Sequence, residues 1–302
     1  MTITEFRTTL ETKHHNGRLL SPLTVKSHIQ TIEILKAWYQ STYNESLDCA
    51  LLTNYDLLAF RAWSINVQRV AAATWNVRRA GLMALCSWIG DSSLMDDVRA
   101  LDPKEVTIRW MDDAEYGRLM RKLERLPKEA VTALEYQRSL RDRAMISLML
   151  FAGLRVSEVV ALTVSDVEIN ERSGKVLVLH GKGDKRSELP LMNPVARKWI
   201  AEWISAAGLS GNVDLFGVTA RTAQRSVTDI GAQAGVAGLS AHDLRHTYLK
   251  RTVDGKNSRD GQRVSLEVVK KLARHSRIET TLRYVEPSWA EMQDAVGGME
   301  AK

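Results

Sequence analysis

The sequence predicts a mainly α-helical protein with one small three-stranded antiparallel sheet in its C-terminal two thirds. Apolar residues recur at helical spacing through most of the 302 residues. Between residues 167 and 191, three short segments instead alternate apolar and polar positions, which is typical of strands. A polar stretch around Asp102-Pro103 separates an N-terminal helical bundle from the rest of the chain. Since such a break marks an exposed connection, we expect two domains.

Composition and charge narrow the class of protein. Hydrophobic residues make up 44% and charged residues 26% of the chain, which is ordinary for a soluble globular protein. Neither a secretory start nor a bilayer-length apolar run is evident, and Cys49 and Cys86 do not make a disulfide framework. We therefore expect a cytoplasmic protein without a membrane partner. Residues 1–105 carry 11 basic and 11 acidic side chains, so the net charge of +6 arises after them and favours a polyanionic partner.

The N-terminal part reads as a helical bundle over residues 1–105, followed by a linker at about 91–108. Residues 1–20 are expected to form a short irregular arm. Helices are then predicted from Ser21-Pro22, near residues 54–65 and near residues 73–89. Arg78 and Arg79 are placed on the outward face of the third helix, where they either contact phosphate or form a solvated surface.

The C-terminal part, residues 106–302, combines helices with the three strands. The first helix is predicted from a capping box at 112–115, and a buried helix is predicted over 141–151. Strands are predicted at 167–169, 176–180 and 188–191, with a basic hairpin loop at 181–186 before the third strand. A polar loop is expected at about 254–264. Further helices are predicted at 156–162, 194–206, 219–234, 241–253, 266–273 and 288–296.

Groups that bind phosphate or move protons collect at four places in the C-terminal part. Arg155 stands at a helix start, and Lys182 lies between two glycines in the hairpin loop. His242 and Arg245 are three residues apart and so share one helix face. A further pair is His275 and Tyr284, nine positions apart. Each place alone has an ordinary structural explanation, but their ordered combination is specific.

Several stretches together resemble the tyrosine recombinases, also called the phage integrase family. They are residues 153–158 (GLRVSE), 181–186 (GKGDKR) before Pro190-Leu191, 242–247 (HDLRHT), and His275 with Tyr284. The resemblance covers about residues 110–290 and implies a C-terminal catalytic domain at 106–302. It also implies that the helical bundle at 1–105 is a core-DNA-binding domain.

The resemblance implies a reaction in which Tyr284 attacks a DNA phosphodiester and forms a covalent 3′-phosphotyrosyl intermediate. Arg155 and Arg245 would stabilise the non-bridging oxygens, because the planar guanidinium matches two oxygens at once. His242 would be the general base or proton acceptor. Because the phosphotyrosine conserves the bond energy, neither a metal nor another cofactor is required.

Other residues are expected to assist this chemistry. Lys182 is the expected general acid for the 5′-hydroxyl, with Lys185 as the alternative. His275 would donate a hydrogen bond to the phosphate, and Glu158 would orient the Arg155 region. Tentative DNA contacts are Arg78, Arg79, Lys185, Arg186, Lys256 and Arg259.

The sequence departs from the family's pattern just before His275. The family usually has Leu-Gly-His there, whereas this chain has Leu272, Ala273, Arg274 and His275. Because glycine adopts positive φ at little cost at a helix end, Arg274 or Ala273 must end the helix differently or carry strain. The structure is therefore expected to be unusual at this point.

The resemblance implies a site-specific recombinase acting as a homotetramer on two DNA duplexes through a Holliday junction, near the nucleoid. Integration, excision and replicon or cointegrate resolution remain open, as does the use of accessory DNA-bending proteins. A type IB topoisomerase-like enzyme shares the cleavage chemistry, and a non-catalytic DNA-binding relative shares the fold. The segment 288–302 is expected to dock on its own or on a neighbouring protomer.

Overall fold

The structure is a computed structural model, and it divides into two compact units, residues 1–107 and 108–302. It is mainly helical and contains a three-stranded antiparallel sheet, which confirms the predicted fold class. The predicted 288–296 helix lies outside the described residues. The structure describes residues 2–12, 19–102, 108–178, 187–258, 260–274, 279–282 and 284.

The first unit is built from helices packed on one apolar core. Its helices are α1 (Ile3–Thr12), α2 (Pro22–Tyr43), α3 (Asn54–Asn66) and α4 (Ala72–Ile89). Ser21 caps α2 through the N–H of Thr24, as the Ser-Pro pair predicts. The irregular arm expected at 1–20 is wrong over α1, because Phe6 and Leu10 are buried in this core. Two apolar residues one turn apart were too weak a periodic signal.

The first part of the expected linker packs against the helices of the first unit. Residues 92–95 form a 3₁₀ turn, and Val98 is fully buried. Side chains of α4 hold the backbone that follows: Trp75 Nε1 donates to the carbonyl of Arg99 at 3.0 Å, and Asn76 Nδ2 to that of Leu101 at 2.7 Å. The polar composition suggested an exposed connection, but these side chains satisfy its backbone groups instead.

The second unit is built around a larger apolar core, to which all three strands contribute buried residues. Its helices are α5 (Asp113–Arg125), α6 (Ala133–Phe151), α7 (Val156–Val160), α8 (Pro194–Ala206), α9 (Ala220–Gln233), α10 (Ala241–Val253), α11 (Leu266–Ala273) and α12 (Glu279–Leu282). The predicted capping box at the start of α5 is confirmed, since Asp112 and Glu115 satisfy each other's backbone N–H groups. Helix α6 begins eight residues before its predicted start because Thr132 and Glu135 form another such box.

The sheet has the order β1-β2-β3, with β1 Val167–Ile169, β2 Gly174–Val178 and β3 Ser187–Pro190. Ile169 pairs with Gly174, so β2 begins two residues earlier than predicted. The reason is the turn: Asn170 Oδ1 accepts the N–H of Ser173 at 2.7 Å and closes the hairpin directly before Gly174. The predicted end of this strand, residues 179–180, lies outside the described residues.

Helix α6 leads directly to the candidate site through a sharp turn. Leu148, Met149 and Leu150 are buried in the main core and fix the end of the helix. Gly153 follows with φ +64°, a left-handed conformation that favours glycine. A Cβ at this position would lie 2.4 Å from Cδ1 of Tyr248, so the absence of a side chain also lets α6 approach α10. This turn places Arg155 at the start of α7.

Candidate active site

Arg155 and Glu158 form a closed cap at the N-terminus of α7. The N–H of Arg155 donates to Glu158 Oε2 at 2.7 Å, and its Nη1 donates to Glu158 Oε1 at 3.0 Å. The side chain of Arg155 is 32% exposed, whereas that of Glu158 is 4% exposed. The carboxylate therefore anchors a guanidinium that still reaches the surface. The role expected from the sequence, in which Glu158 orients the Arg155 region, stays a prediction.

Arg245 is buried on α10 and joins two other segments of the site. Its Nη1 donates to the carbonyl of Gly153 and its Nη2 to the carbonyl of Ala273. Burial, together with the charges of Arg155 and Arg274, lowers the pKa of Arg245 to about 10 against the opposing effect of Glu158. Since the guanidinium remains charged at neutral pH, the site holds a concentrated positive field.

Arg274 carries the backbone strain that the sequence placed at residues 273–274. It caps α11 with φ +54° and ψ +39°, a conformation that costs an L-residue about 1–2 kcal/mol. Its Nη2 donates to Glu158 Oε2 at 2.7 Å, and the Arg274 side chain is only 12% exposed. This ion pair compensates for the strained backbone and ties the end of α11 to the cap of α7. The sequence left open whether Ala273 or Arg274 ends the helix differently or carries strain, and it did not predict Glu158 as the partner of Arg274.

Glu158 is thus shared by two guanidiniums. Burial alone would raise the pKa of this carboxyl group, but the N–H of Arg155 and the charges of Arg274 and Arg155 outweigh burial and lower the pKa. The carboxylate is consequently ionised at neutral pH. With Arg245 nearby, three positive charges face one negative charge, and the excess suits an incoming phosphate.

Tyr284 is buried, with 2% of its surface exposed, and packs in a small core with Leu249 and Val269. Its hydroxyl lies 2.5 Å from Nδ1 of His246 on α10. The two rings are 5.6 Å apart between centroids. The nucleophile expected from the sequence is therefore in direct contact with a histidine that the sequence analysis did not single out.

His246 follows His242 by four residues, so the two rings project from adjacent turns of α10, with centroids 6.0 Å apart. His242 is exposed, whereas His246 is partly buried. Burial, together with the charges of His242 and Arg245, lowers the pKa of His246 to about 4 despite the opposing effect of Asp243. The four-residue spacing from His242 could have pointed to His246, because residues at that spacing share one helix face.

The tentative DNA contacts differ in what the structure shows. Arg78 and Arg79, expected on the outward face of α4, are partly buried: Arg78 Nη1 donates to Ser64 Oγ at 3.2 Å, and Arg79 donates to the carbonyl of Val98. Lys256 is exposed, but its Nζ lies 2.5 Å from Oδ2 of Asp113. Lys182, Lys185, Arg186, Arg259 and His275 lie outside the described residues.

Two other kinds of site receive no support within the described ranges. In those ranges, no group of three or more His, Cys, Asp or Glu side chains is arranged to hold a metal ion. No described helix combines the length and the apolar character needed to cross a membrane. Among the described residues, the site gathers arginines and histidines together with the carboxylate of Glu158 and the phenol of Tyr284.

Solved structures of known proteins share the fold of this chain. The chain resembles the XerH site-specific recombinase bound to its palindromic difH substrate, with a TM-score of 0.70 and 19% identity over 98% of this chain and 84% of the other. A lambda integrase dimer bound to a COC′ core site aligns with a TM-score of 0.66 and 13% identity, over 99% and 78% of the two chains. At these identities the likeness establishes a shared fold.

The sequence model of the Phage integrase family matches residues 109–291, more than half of the chain. The chain belongs to the phage integrase family, whose members are the tyrosine recombinases. A curated relative is tyrosine recombinase XerC of Vibrio parahaemolyticus, 32% identical over 167 residues, which are 52% of this chain and 50% of the relative. The corresponding protein of Vibrio atlanticus is 30% identical over 167 residues. The chain spans about half the length of these curated relatives.

Proposed function

We propose that the chain is a site-specific DNA recombinase, which cleaves and rejoins DNA through a covalent 3′-phosphotyrosyl intermediate and a Holliday junction. The observation that carries the proposal is the position of Tyr284. Its hydroxyl lies 2.5 Å from an imidazole nitrogen, and the buried guanidinium of Arg245 lies near enough to interact electrostatically with the phenolate that forms in the reaction. A phenol beside a proton acceptor and a fixed positive field is equipped to attack a phosphodiester.

The proposed roles follow from these positions. Arg155 and Arg245 bind the non-bridging oxygens of the scissile phosphate, and Glu158 orients Arg155. His242, which is exposed on α10, is proposed as the general base or proton acceptor that the resemblance implies. Outside the described residues, Lys182 is proposed as the acid that protonates the leaving 5′-oxygen, with Lys185 as the alternative. His275 is proposed to donate a hydrogen bond to the phosphate.

The proposed partners are double-stranded DNA sites and further copies of the chain. Strand exchange between two duplexes needs four active sites, so we propose a homotetramer in the cytoplasm, at the nucleoid. Residues 1–105 would form the core-DNA-binding domain and residues 106–302 the catalytic domain. Both the XerH and the lambda integrase neighbours are DNA-bound.

Arg186 and Arg259 remain proposed DNA contacts. Arg78, Arg79 and Lys256 would first have to leave their present partners.

The test begins with a duplex that the wild-type chain selects from a random pool. A nick beside the mapped cleavage point then traps the covalent protein–DNA adduct, which is measured on a denaturing gel. Tyr284→Phe should abolish the adduct and leave the affinity for the duplex unchanged. Tyr248→Phe is the matched control, because Tyr248 is also a buried tyrosine of the same small core. Persistent adduct in Tyr284→Phe, or its loss in both variants, contradicts the assignment.

Two other functions are outcomes of the same experiment. A type IB topoisomerase-like enzyme would relax a supercoiled plasmid that lacks the selected site and would not exchange strands between duplexes. A non-catalytic DNA-binding relative would bind the duplex without forming an adduct. Recombinant products from two site-bearing duplexes, dependent on Tyr284, support the proposed function.

A further inference from the structure

His246 contacts the reacting atom of the proposed nucleophile. Its Nδ1 is 2.5 Å from Oη of Tyr284, which is within hydrogen-bonding distance for these atoms. Tyr284 is 2% exposed, and its ring is tilted by 40° to the imidazole. The pair connects α10 to the C-terminal segment across 38 residues of sequence. Such a contact brings a proton acceptor to the phenol before DNA arrives.

The electrostatic surroundings favour an accepting imidazole. Burial lowers the pKa of His246 to about 4, and the charges of His242 and Arg245 act in the same direction, against Asp243. The ring is therefore neutral at physiological pH. In the tautomer whose proton is on Nε2, Nδ1 has a free lone pair and accepts the hydrogen bond from the phenol.

His242 occupies a different position on the same helix. Its side chain is exposed, and its ring centroid is 6.0 Å from that of His246. An exposed imidazole one turn closer to the N-terminus can approach DNA from solvent, whereas His246 faces the buried phenol. The two histidines can therefore act at different places in one reaction, His242 beside the DNA and His246 at the phenolic proton.

We infer that His246, in place of His242, takes the phenolic proton of Tyr284 as that oxygen attacks the scissile phosphate, and that His246 is thus a further catalytic residue. The inference rests on the proposed function. The O–H bond of Tyr284 breaks and a proton binds Nδ1, while Oη forms a bond to phosphorus. The bond from phosphorus to the 5′-oxygen breaks, and the leaving oxygen is protonated by the general acid. In the rejoining step the attacking 5′-hydroxyl returns its proton to the former general acid, and His246 returns its proton to the departing phenolate, so the cycle consumes no proton.

Binding of DNA makes His246 a stronger base at the stage of the reaction where it accepts the proton. In the DNA-free chain, the nearby Arg245 disfavours a positive imidazole. A phosphate bound to Arg155 and Arg245 brings negative charge, which offsets these cations and favours the protonated ring. Premature ionisation of Tyr284 is thereby limited, and proton transfer becomes coupled to substrate binding.

Two substitutions separate proton transfer from hydrogen bonding. His246→Ala removes both, while His246→Asn places an amide atom near the position of Nδ1 and cannot act as a base at neutral pH. Each variant is compared with wild type in single-turnover adduct formation on the selected nicked duplex, and in affinity for the intact duplex. We expect both variants to form the adduct about 100-fold or more slowly, as loss of a proton acceptor predicts. Affinity should change little, and added imidazole should accelerate His246→Ala.

The outcomes distinguish this inference from the proposed function. If wild type forms no adduct on any selected duplex, the proposed function fails and this inference fails with it. If wild type reacts and both variants keep its rate, His246 is not catalytic and the proposed function stands. A fast His246→Asn beside a slow His246→Ala overturns the proton-acceptor role and leaves only a hydrogen bond. Thermal unfolding of each variant excludes misfolding as the cause of a lost rate.

A measurement without DNA tests the geometry independently. Nitrogen-15 NMR of histidine-labelled full-length chain reports which ring nitrogen carries the proton, and Tyr284→Phe identifies the resonances of His246. The expected result is a neutral ring with an unprotonated Nδ1 at pH 7, whose shift changes when the phenol is removed. A proton on Nδ1, or resonances unaffected by Tyr284→Phe, overturns the inference.

Discussion

Glu158→Gln tests how strongly the shared carboxylate holds the site together. Glu158 accepts three hydrogen bonds in a nearly closed environment, where its side chain is 4% exposed. Oε2 receives the N–H of Arg155 and Nη2 of Arg274, both at 2.7 Å, and Oε1 receives Nη1 of Arg155 at 3.0 Å. Glutamine keeps the shape but has only one acceptor oxygen and no charge.

The expected loss of stability follows from these contacts. If the amide oxygen takes the place of Oε2, the amide NH₂ faces Nη1 of Arg155, so one charge-assisted hydrogen bond worth about 1.5–3 kcal/mol disappears. Arg274 and Arg155 also lose their common counter-charge, and removing one partner of a buried ion pair costs about 3–5 kcal/mol. Because the two effects overlap and two hydrogen bonds remain, we expect a loss of about 3 kcal/mol.

Glu115→Gln provides the matched control in the same unit. Glu115 is also the third residue of a capped helix, where it accepts the N–H of Asp112 at 3.3 Å and Nη2 of Arg109 at 3.1 Å. Its side chain is 22% exposed, so solvent screens the pair. The same substitution should therefore cost about 1 kcal/mol or less.

The assay is urea unfolding of the full-length chain, followed by far-ultraviolet circular dichroism. Both substitutions lie in residues 108–302, so the same transition is compared in each variant. The difference in free energy of unfolding is obtained from the shift of the midpoint at a common slope. Equal losses in the two variants would show that burial and the second guanidinium contribute nothing, and would refute this reasoning.

Three further predictions use other features of the molecule. Gly153→Ala should destabilise the second unit by about 3 kcal/mol, because φ is positive and the new Cβ would lie 2.4 Å from the ring of Tyr248. The control Gly208→Ala, with φ +62° and no atom within 4 Å of its Cβ, should cost only about 1 kcal/mol. Equal shifts of the urea midpoint in the two variants would contradict the steric argument. Because the pKa of Glu158 is lowered in the folded state, this carboxylate stabilises the fold at pH values above its unfolded pKa of about 4.3, and the stabilisation is lost as the pH falls through its folded pKa. The difference in free energy of unfolding between wild type and Glu158→Gln should therefore shrink from pH 6 to pH 3. A constant difference would contradict this prediction. Affinity for the selected duplex should fall linearly with the logarithm of salt concentration in a binding titration, and a flat response would rule out phosphate contacts.

Local features of the fold were readable from the sequence because they depend on neighbouring residues. Ser21-Pro22 and Asn193-Pro194 start helices, and the capping box at Asp112 depends on groups three residues apart. The change in the spacing of apolar residues, from helical to alternating, located the three strands. By contrast, helix α1 was missed because only Phe6 and Leu10 bury apolar surface there. The packed segment after Gly90 was missed because its partners lie on helices earlier in the chain.

The sequence by itself determined the family and the residues proposed for its chemistry, because ordered motifs record residue types and not contacts. It also marked residues 273–274, where the usual glycine is missing, as the place where the helix must end differently or carry strain. Only the tertiary structure decided what these residues touch. Arg274 meets Glu158 across 116 positions, and Tyr284 meets His246 across 38. Contacts at such separations arise when packed helices bring distant segments together, so no local pattern in the chain encodes them.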